Sequence, residues 1–317
     1  MGSELVPNLV SIIIPTYNRA DLVVRAVRSA LAQTHPLKQI IVVDDGSSDH
    51  TAAQVGALAQ VEYFHQENQG QPAARNLGLT QVRGEFVASL DSDDFWNPTF
   101  LADSVRCLAN TGAGFSFANW EIQGPTVTPN YASQLHKLAY LEPFADLVSD
   151  GWIHLNARQT RDLFMRHCPA PSASTVIRRS LIQHGWNASA RISDDRLLLL
   201  DAIVKFGISS AFTFDRLWTK WLDGSNICDR QTDKIKLAQN EIHDRHVILE
   251  RFENIMTVEE RKLLRAAIAR SYSDFAYHQY VAGNRTQAAA GYFRSFRNRP
   301  AIQPLLGLAK LLMKTKS

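Results

Sequence analysis

Phe86-Val-Ala-Ser-Leu-Asp-Ser-Asp-Asp94 is an apolar run that ends in three carboxylates within four positions. A short apolar run that stops at acids reads as a buried strand delivering charge to its C-terminal end. Clustered carboxylates repel one another, so they need a positive partner among them. A divalent cation is the simplest such partner, and hard oxygen ligands suit Mg²⁺ or Mn²⁺. Alone, Asp91-Ser-Asp-Asp94 reads equally well as a solvated acidic turn. The rest of the chain decides between the two.

Three similar runs precede it: Val10–Ile14, Gln39–Val43 and Val61–Phe64. The first two are rich in β-branched residues, as expected of central parallel strands. Between the runs lie helical patterns. Asp21 is the expected N-cap of the first, which carries Leu22, Val23, Ala26, Val27, Ala30 and Leu31 at helical spacing. The second is expected over residues 51–59 and the third over 73–79. This β-α-β-α-β-α-β alternation predicts a mostly parallel sheet flanked by helices. Ligands of such sheets sit outside the C-terminal strand ends. The loops Pro15–Arg19, Asp44–Asp49, Asn68–Pro72 and Asp91–Asp94 therefore converge on one crevice.

Beyond Trp96 the regularity falls. Helices are expected over 98–110, 133–141 and 160–166, strands over 114–120, 172–177 and 212–221, and a short helix over 178–184. Asp194-Asp195 opens a helix continued by Leu197–Phe206. From about Lys234 the pattern is helical throughout, over 237–252, 258–281 and 286–296. The expected division is a domain over 1–230, with a nucleotide-sugar part (1–120) and an acceptor part (121–230), and an all-helical region over 231–317.

The 317 residues are 45% hydrophobic and 21% charged, an ordinary globular profile. A net charge of +3 gives no argument for nucleic acid. Cys107, Cys168 and Cys228 form no CxxC pair, which speaks against structural zinc and a disulfide framework. No stretch has the length of a membrane span, and no leader is read at the N-terminus.

Val10-Ser-Ile-Ile-Ile-Pro-Thr-Tyr-Asn-Arg19, Val43-Asp-Asp-Gly-Ser-Ser-Asp49, Asn68-Gln-Gly with Ala74-Arg-Asn76, and Leu90-Asp-Ser-Asp-Asp94 resemble, in order, the motifs of family-2 glycosyltransferases. Four motifs in sequence are specific where one would be weak. The resemblance is dense over the first hundred residues and looser over the next hundred. It implies a GT-A-like fold and an inverting, metal-dependent transfer from a nucleotide-diphosphate sugar, with UDP-sugars the expected donors. The acceptor would be a saccharide or a lipid-linked saccharide in surface polysaccharide or glycoconjugate synthesis.

The resemblance also implies roles. Pro15, Thr16 and Tyr17 would wall the base and Asp45 would contact it, while Asp44 or Ser47 serves the turn. Arg75 would hold a phosphate, since a guanidinium can do so bidentately. Asp91 falls on the ribose side beside Ser92, Asp93 on the metal, and Asp94 on both metal and donor sugar. The base that deprotonates the acceptor hydroxyl falls on Asp194-Asp195, with Asp195 preferred. Acids at a helix start also stabilise the helix dipole, the structural alternative. Where the family commonly places a His after the last strand, this chain has Leu222 or Asp223, with Lys220 nearby.

Trp152, Trp186, Trp218 and Trp221 could stack on sugars, although core burial is the commoner fate of such residues. The stretch after Asp274 is basic and leucine-rich. It suits either peripheral contact with an anionic membrane, at its cytoplasmic face, or a terminal helix packed on the catalytic domain. The rivals to a transferase are a nucleotide-sugar-binding protein without turnover and a sugar-nucleotide nucleotidyltransferase. The latter would want a Gly-rich phosphate loop that Pro15–Arg19 lacks.

Overall fold

Ile12, Ile13 and Ile14 are completely buried although consecutive strand residues face opposite ways. Strand β1 (Val6–Thr16) therefore lies in a sheet covered on both faces. The computed structural model describes residues 4–127, 141–224 and 233–313. The chain forms two compact units, residues 1–188 with 195–223, and residues 189–194 with 224–317.

In the first unit β1 pairs in parallel with β2 (Lys38–Asp44) and β4 (Gly84–Ser89), and β2 pairs in parallel with β3 (Val61–His65). Helices α1 (Ala20–Leu31), α2 (Thr51–Gly56) and α3 (Gln71–Thr80) connect them. Gly78 lets α3 settle on β1, since a Cβ there would lie 2.6 Å from Ile13 Cγ2. The register places Thr16 beside Asp44, and Leu90 N–H donates to Ile13 O (2.9 Å). The ends of β1, β2 and β4 thus lie at one edge of the sheet.

The remaining strands are β5 (Phe95–Trp96), β6 (Phe115–Gln123), β7 (Val148–Ser149), β8 (Trp152–Leu155), β9 (Thr175–Arg178) and β10 (Ser210–Trp221). The ten-stranded sheet runs β3-β2-β1-β4-β9-β6-β10-β8-β7, with β5 on β10. Helices α4 (Phe100–Thr111), α5 (Ala157–Arg166) and α6 (Asp194–Phe206) complete this part. The expected parallel core is present, but β9 runs antiparallel between β4 and β6. That reversal has a consequence for the site. The turn preceding β9, Ser172–Ser174, comes out at the edge where β4 ends.

Some local expectations change. Asp21 lies in the first turn of α1 and accepts from Gln54 Nε2 (3.2 Å), while Arg19 occupies the cap position. Helix α2 stops at Gly56, and the helix expected over 178–184 is one 3₁₀ turn, Arg179–Leu181. Strands β7 and β8 had no sequence signal. The helix expected over 133–141 falls, except for Leu141, outside the described residues. Trp152, Trp186 and Trp218 are core residues, at most 5% exposed.

The second unit holds α7 (Lys234–Phe252), α8 (Val258–Val281), α9 (Arg285–Asn298) and α10 (Ile302–Met313). Asp233 caps α7 by accepting from the N–H groups of Ile235 and Lys236, and Thr257 with Glu260 forms a capping box on α8. Buried Asp244 of α7 accepts from the N–H groups of Arg191 and Ile192 (both 2.9 Å), which ties residues 189–194 to this unit. No helix among the described residues is long and apolar enough to cross a membrane.

Candidate active site

The acidic cluster is built as the strand order requires. Asp91, Asp93 and Asp94 leave β4 together, and one carboxylate oxygen from each lies within 4.8 Å of the others. Two like charges at that separation repel by about 3 kcal/mol even at an effective dielectric of ~20. Burial adds to the cost. Asp93 is 9% and Asp94 1% exposed, and burial, together with the neighbouring acids, pushes both carboxyls above the ordinary carboxylate range. Lys220, at the end of β10, lowers both in opposition. It therefore supplies positive charge near the point where the family pattern led us to expect a His.

Each acid has a different neighbour. Asp93 pairs with Arg19, and its main-chain oxygen accepts from Arg25 Nη2 (2.7 Å). The Arg25 guanidinium lies over the rings of Phe95 (4.7 Å) and Trp221 (4.1 Å), so Trp221 stacks on a cation. Asp94 Oδ1 accepts from Trp221 N–H (2.9 Å) because β5 pairs antiparallel with β10. Asp94 Oδ2 is buried and has no hydrogen-bond partner among the described residues. A buried carboxylate oxygen left unmatched among like charges is a ready ligand for a hard cation. The donor set, oxygen only and partly offset by Arg19 and Lys220, fits Mg²⁺ or Mn²⁺ at Asp94 and Asp93.

Asp91 points to a fourth cation, Arg75. Arg75, from α3, is 2% exposed. Its Nη2 donates to Asp91 Oδ1 (2.7 Å), its Nε to Ser89 Oγ (3.3 Å), and its Nη1 lies 3.5 Å from Asp195 Oδ1. Gln71 Nε2 also donates to Asp91 Oδ1 (3.0 Å). One buried guanidinium thus links the acidic cluster to Asp195. Ser92 is buried beside them.

Asp195 lies in the first turn of α6. It accepts from Ser172 N–H (2.9 Å) and from Ser172 Oγ. Trp186 Nε1 reaches the same hydroxyl (3.3 Å). Asn76, one position past Arg75, fixes that tryptophan. Its Nδ2 donates to Trp186 O (2.8 Å) and its Oδ1 accepts from Trp186 N–H (2.7 Å). Ser89, Ser172, Thr175, Trp186 and Asp195 line a cleft whose other walls are aliphatic. Asp194, half-buried, opens the same helix.

On the opposite side, Asp45 is 4% exposed and accepts from Gln66 Nε2 (2.7 Å), Gln69 N–H (2.9 Å) and Gly70 N–H (2.8 Å). Three of roughly four acceptor positions are filled, so this carboxylate also shapes the 66–70 loop. Asp44 accepts from Ser47 N–H (2.8 Å) and Tyr63 O–H (2.6 Å), as a turn residue would. Pro15 and Thr16 are buried, with Thr16 Oγ1 lacking a partner, whereas Tyr17 is 48% exposed. Asn18 Oδ1 accepts from Ser48 N–H (2.8 Å), which locks the first two loops together.

The residue types were legible in the motifs, but the pairings were not. Arg19, Arg25 and Gln71 carry no sequence signal for these pairings, and Ser172 reads only as the start of the strand expected over 172–177.

Comparisons with known proteins agree with this architecture. An uncharacterized glycosyltransferase of Rickettsia felis is 35% identical over 115 residues, which is 35% of this chain and 19% of its own length. The WfaP protein of Escherichia coli, a UDP-Glc:alpha-D-GlcNAc-diphosphoundecaprenol beta-1,3-glucosyltransferase, is 33% identical over 135 residues, or 42% of this chain and 54% of its own. The alignments therefore span between about a fifth and about half of these relatives. Among solved structures, Staphylococcus aureus TarS 1-349 with UDP-GlcNAc superposes with a TM-score of 0.61 at 14% identity, over 96% of this chain and 91% of that one. The mannosyltransferase PcManGT of Pyrobaculum calidifontis, with GDP-Man and Mn²⁺, gives 0.59 at 18%, over 97% and 88%. At these identities the structures establish a shared fold. The family described as glycosyl transferase family 2 matches residues 11–186, more than half of the chain, and the chain belongs to that family.

Proposed function

We propose that this protein is an inverting, metal-dependent glycosyltransferase that moves a sugar from a nucleotide-diphosphate donor, a UDP-sugar, to a hydroxyl of a saccharide or lipid-linked acceptor. The observation that carries this reading is Arg75. It joins the acidic cluster, suited to a metal and a diphosphate, to Asp195, suited to proton removal, within one buried hydrogen-bonded assembly.

The roles are those the family resemblance implies, and the geometry supports them as follows. Asp45 keeps one acceptor position for a base or ribose N–H or O–H, beside Thr16 and Pro15. Asp91, held by Arg75 and Gln71, takes the ribose side. Asp93 and Asp94 hold the divalent ion, which when bound offsets the charge that builds on the departing diphosphate. Ser172 fixes Asp195 with two hydrogen bonds. The Asp195 carboxylate takes the proton of the acceptor hydroxyl, and that oxygen attacks the anomeric carbon. The bond from that carbon to the diphosphate oxygen breaks, and its electron pair leaves with the nucleotide. Arg75 offsets only one of the two charges on Asp91 and Asp195 and is held by both, so the phosphate contact falls to Arg19 or Lys220.

The lipid-diphosphate acceptor of the E. coli relative supports a lipid-linked acceptor here. The nucleotides held by the two superposed structures, and the Mn²⁺ of one, support the donor class and the metal.

The test is a screen of nucleotide sugars with Mn²⁺ for thermal stabilisation and slow donor hydrolysis, followed by Asp195→Asn. The variant is expected to lose transfer and keep UDP affinity. Near-normal turnover in Asp195→Asn removes the base assignment. Nucleotide binding without hydrolysis or transfer for any donor removes the enzyme reading.

A further inference from the structure

The last helix packs the opposite way to a core helix. In α10 the buried positions are Pro304, Gly307 and Leu311, at i, i+3 and i+7. Gly307 sits directly on Tyr292 of α9, since a Cβ there would lie 2.5 Å from the ring. Three large aliphatic residues face the other way. Ile302, Leu305 and Leu306, at i, i+3 and i+4, are 73%, 47% and 56% exposed. Phe293 of α9 is 61% exposed. Singly exposed apolar residues are ordinary, but three on one face of one helix, with an aromatic on the adjoining helix, are not.

The charge carried by α9 and α10 themselves has one sign. From Phe275 to Ser317 there are seven Lys and Arg residues and no Asp or Glu. Arg294 and Arg297 lie one and four positions after Phe293, Arg299 follows in the connection to α10, and Lys310 sits one turn beyond Leu306; all four are exposed. Long cationic side chains can lie along an apolar surface and reach phosphates at its rim.

We propose that the α9–α10 face docks on an anionic lipid surface, with Phe293, Ile302, Leu305 and Leu306 entering the headgroup boundary and the arginines and Lys310 contacting lipid phosphates. An apolar stripe on helices whose own charged residues are all cationic matches what interfacial helices present to such membranes. A protein partner would need an acidic rim of its own around a flat aliphatic patch. A second copy of the same face would set cation against cation. The inference rests on exposure and charge in the helical unit and does not depend on the transferase reading.

The experiment is co-sedimentation of the full chain with phosphatidylcholine vesicles, with and without phosphatidylglycerol, at low and high salt. The wild type is expected to pellet with the anionic vesicles alone and to be released by salt. Arg294→Gln/Arg297→Gln/Arg299→Gln should weaken that binding roughly a hundredfold, at about fivefold per cation. Ile302→Ser/Leu305→Ser/Leu306→Ser should abolish it while leaving the circular dichroism spectrum unchanged, because these side chains are exposed. Equal binding to neutral vesicles, no binding to either, or unaltered binding by both variants overturns the proposal. So does a wild-type dimer that the triple serine variant converts to monomer, which would make the face a self-association surface.

Discussion

Asp94→Asn should stabilise the metal-free protein and at the same time destroy its response to metal. Asp94 Oδ1 accepts from Trp221 N–H (2.9 Å), and an Asn Oδ1 can keep that bond. Oδ2 has no hydrogen-bond partner among the described residues and lies among Asp91 and Asp93. An Asn Nδ2 in its place donates to those acids and removes a charge. Leaving a buried polar atom unmatched costs about 1–3 kcal/mol. Recovering that much raises the melting temperature by roughly 2–10 °C in a unit of this size. The assay is thermal unfolding in chelator across pH. Burial pushes the Asp94 carboxyl above its ordinary range. The folded chain therefore keeps a proton that the unfolded chain releases above about pH 4. Wild-type stability falls as pH rises from there towards the folded pKa, so the advantage of the Asn variant is largest near neutrality and disappears in acid. With Mn²⁺ and UDP the order reverses. A ligand at a hundred times its Kd adds about 2.7 kcal/mol to the wild type, and the variant gains little. A chelated variant less stable than wild type at pH 7, or an unchanged Mn²⁺-dependent shift, refutes the reasoning.

Arg75→Ala leaves Asp91 and Asp195 without their shared cation and should cost about 3 kcal/mol, read as a lower melting temperature with turnover lost. Arg75→Lys keeps the charge but not the fork, so it should recover stability in part and activity hardly at all; full recovery of activity would make the contact a mere charge effect. Asn76→Ala removes both hydrogen bonds to the Trp186 backbone and should cost about 2–3 kcal/mol by denaturant unfolding. UDP affinity should change less than turnover, since the loss acts on the Ser172–Asp195 side; an equal fall in both would place Asn76 on the donor side instead.

The strands that carry the nucleotide half were legible because β1, β2 and β4 are buried on both faces and read as unbroken apolar runs. β9 was legible as a strand but not as an antiparallel one, since direction depends on how the chain returns to the sheet. β8 is four residues long and β7 two, too short for any periodicity. At the candidate site, the motifs offered Asp45, Arg75, Asp91, Asp93 and Asp94 as candidates, and the acidic pair at the start of α6 offered Asp195. They could not pair Arg19 with Asp93 across 74 positions, or Asn76 with Trp186 across 110. Such pairs are created by strand order, and strand order is a property of the whole sheet. Gly78 and Asn76 read as ordinary helix residues until the partner of each is known.

The position of β9 also bears on how the chain is made. β9 fills the space between β4 and β6, yet its first residue is Thr175 and β4 ends at Ser89. At typical synthesis rates of about 5–20 residues per second, the inner edge of β4 waits on the order of ten seconds for its partner. Throughout that interval Phe86, Val87 and Ala88 offer an open row of main-chain donors and acceptors to any other extended segment. The nascent chain is thus most prone to aggregate after β1–β4 have emerged and before Thr175 has. A translational pause in that window should be harmful, and a chaperone that shields a strand edge should act there.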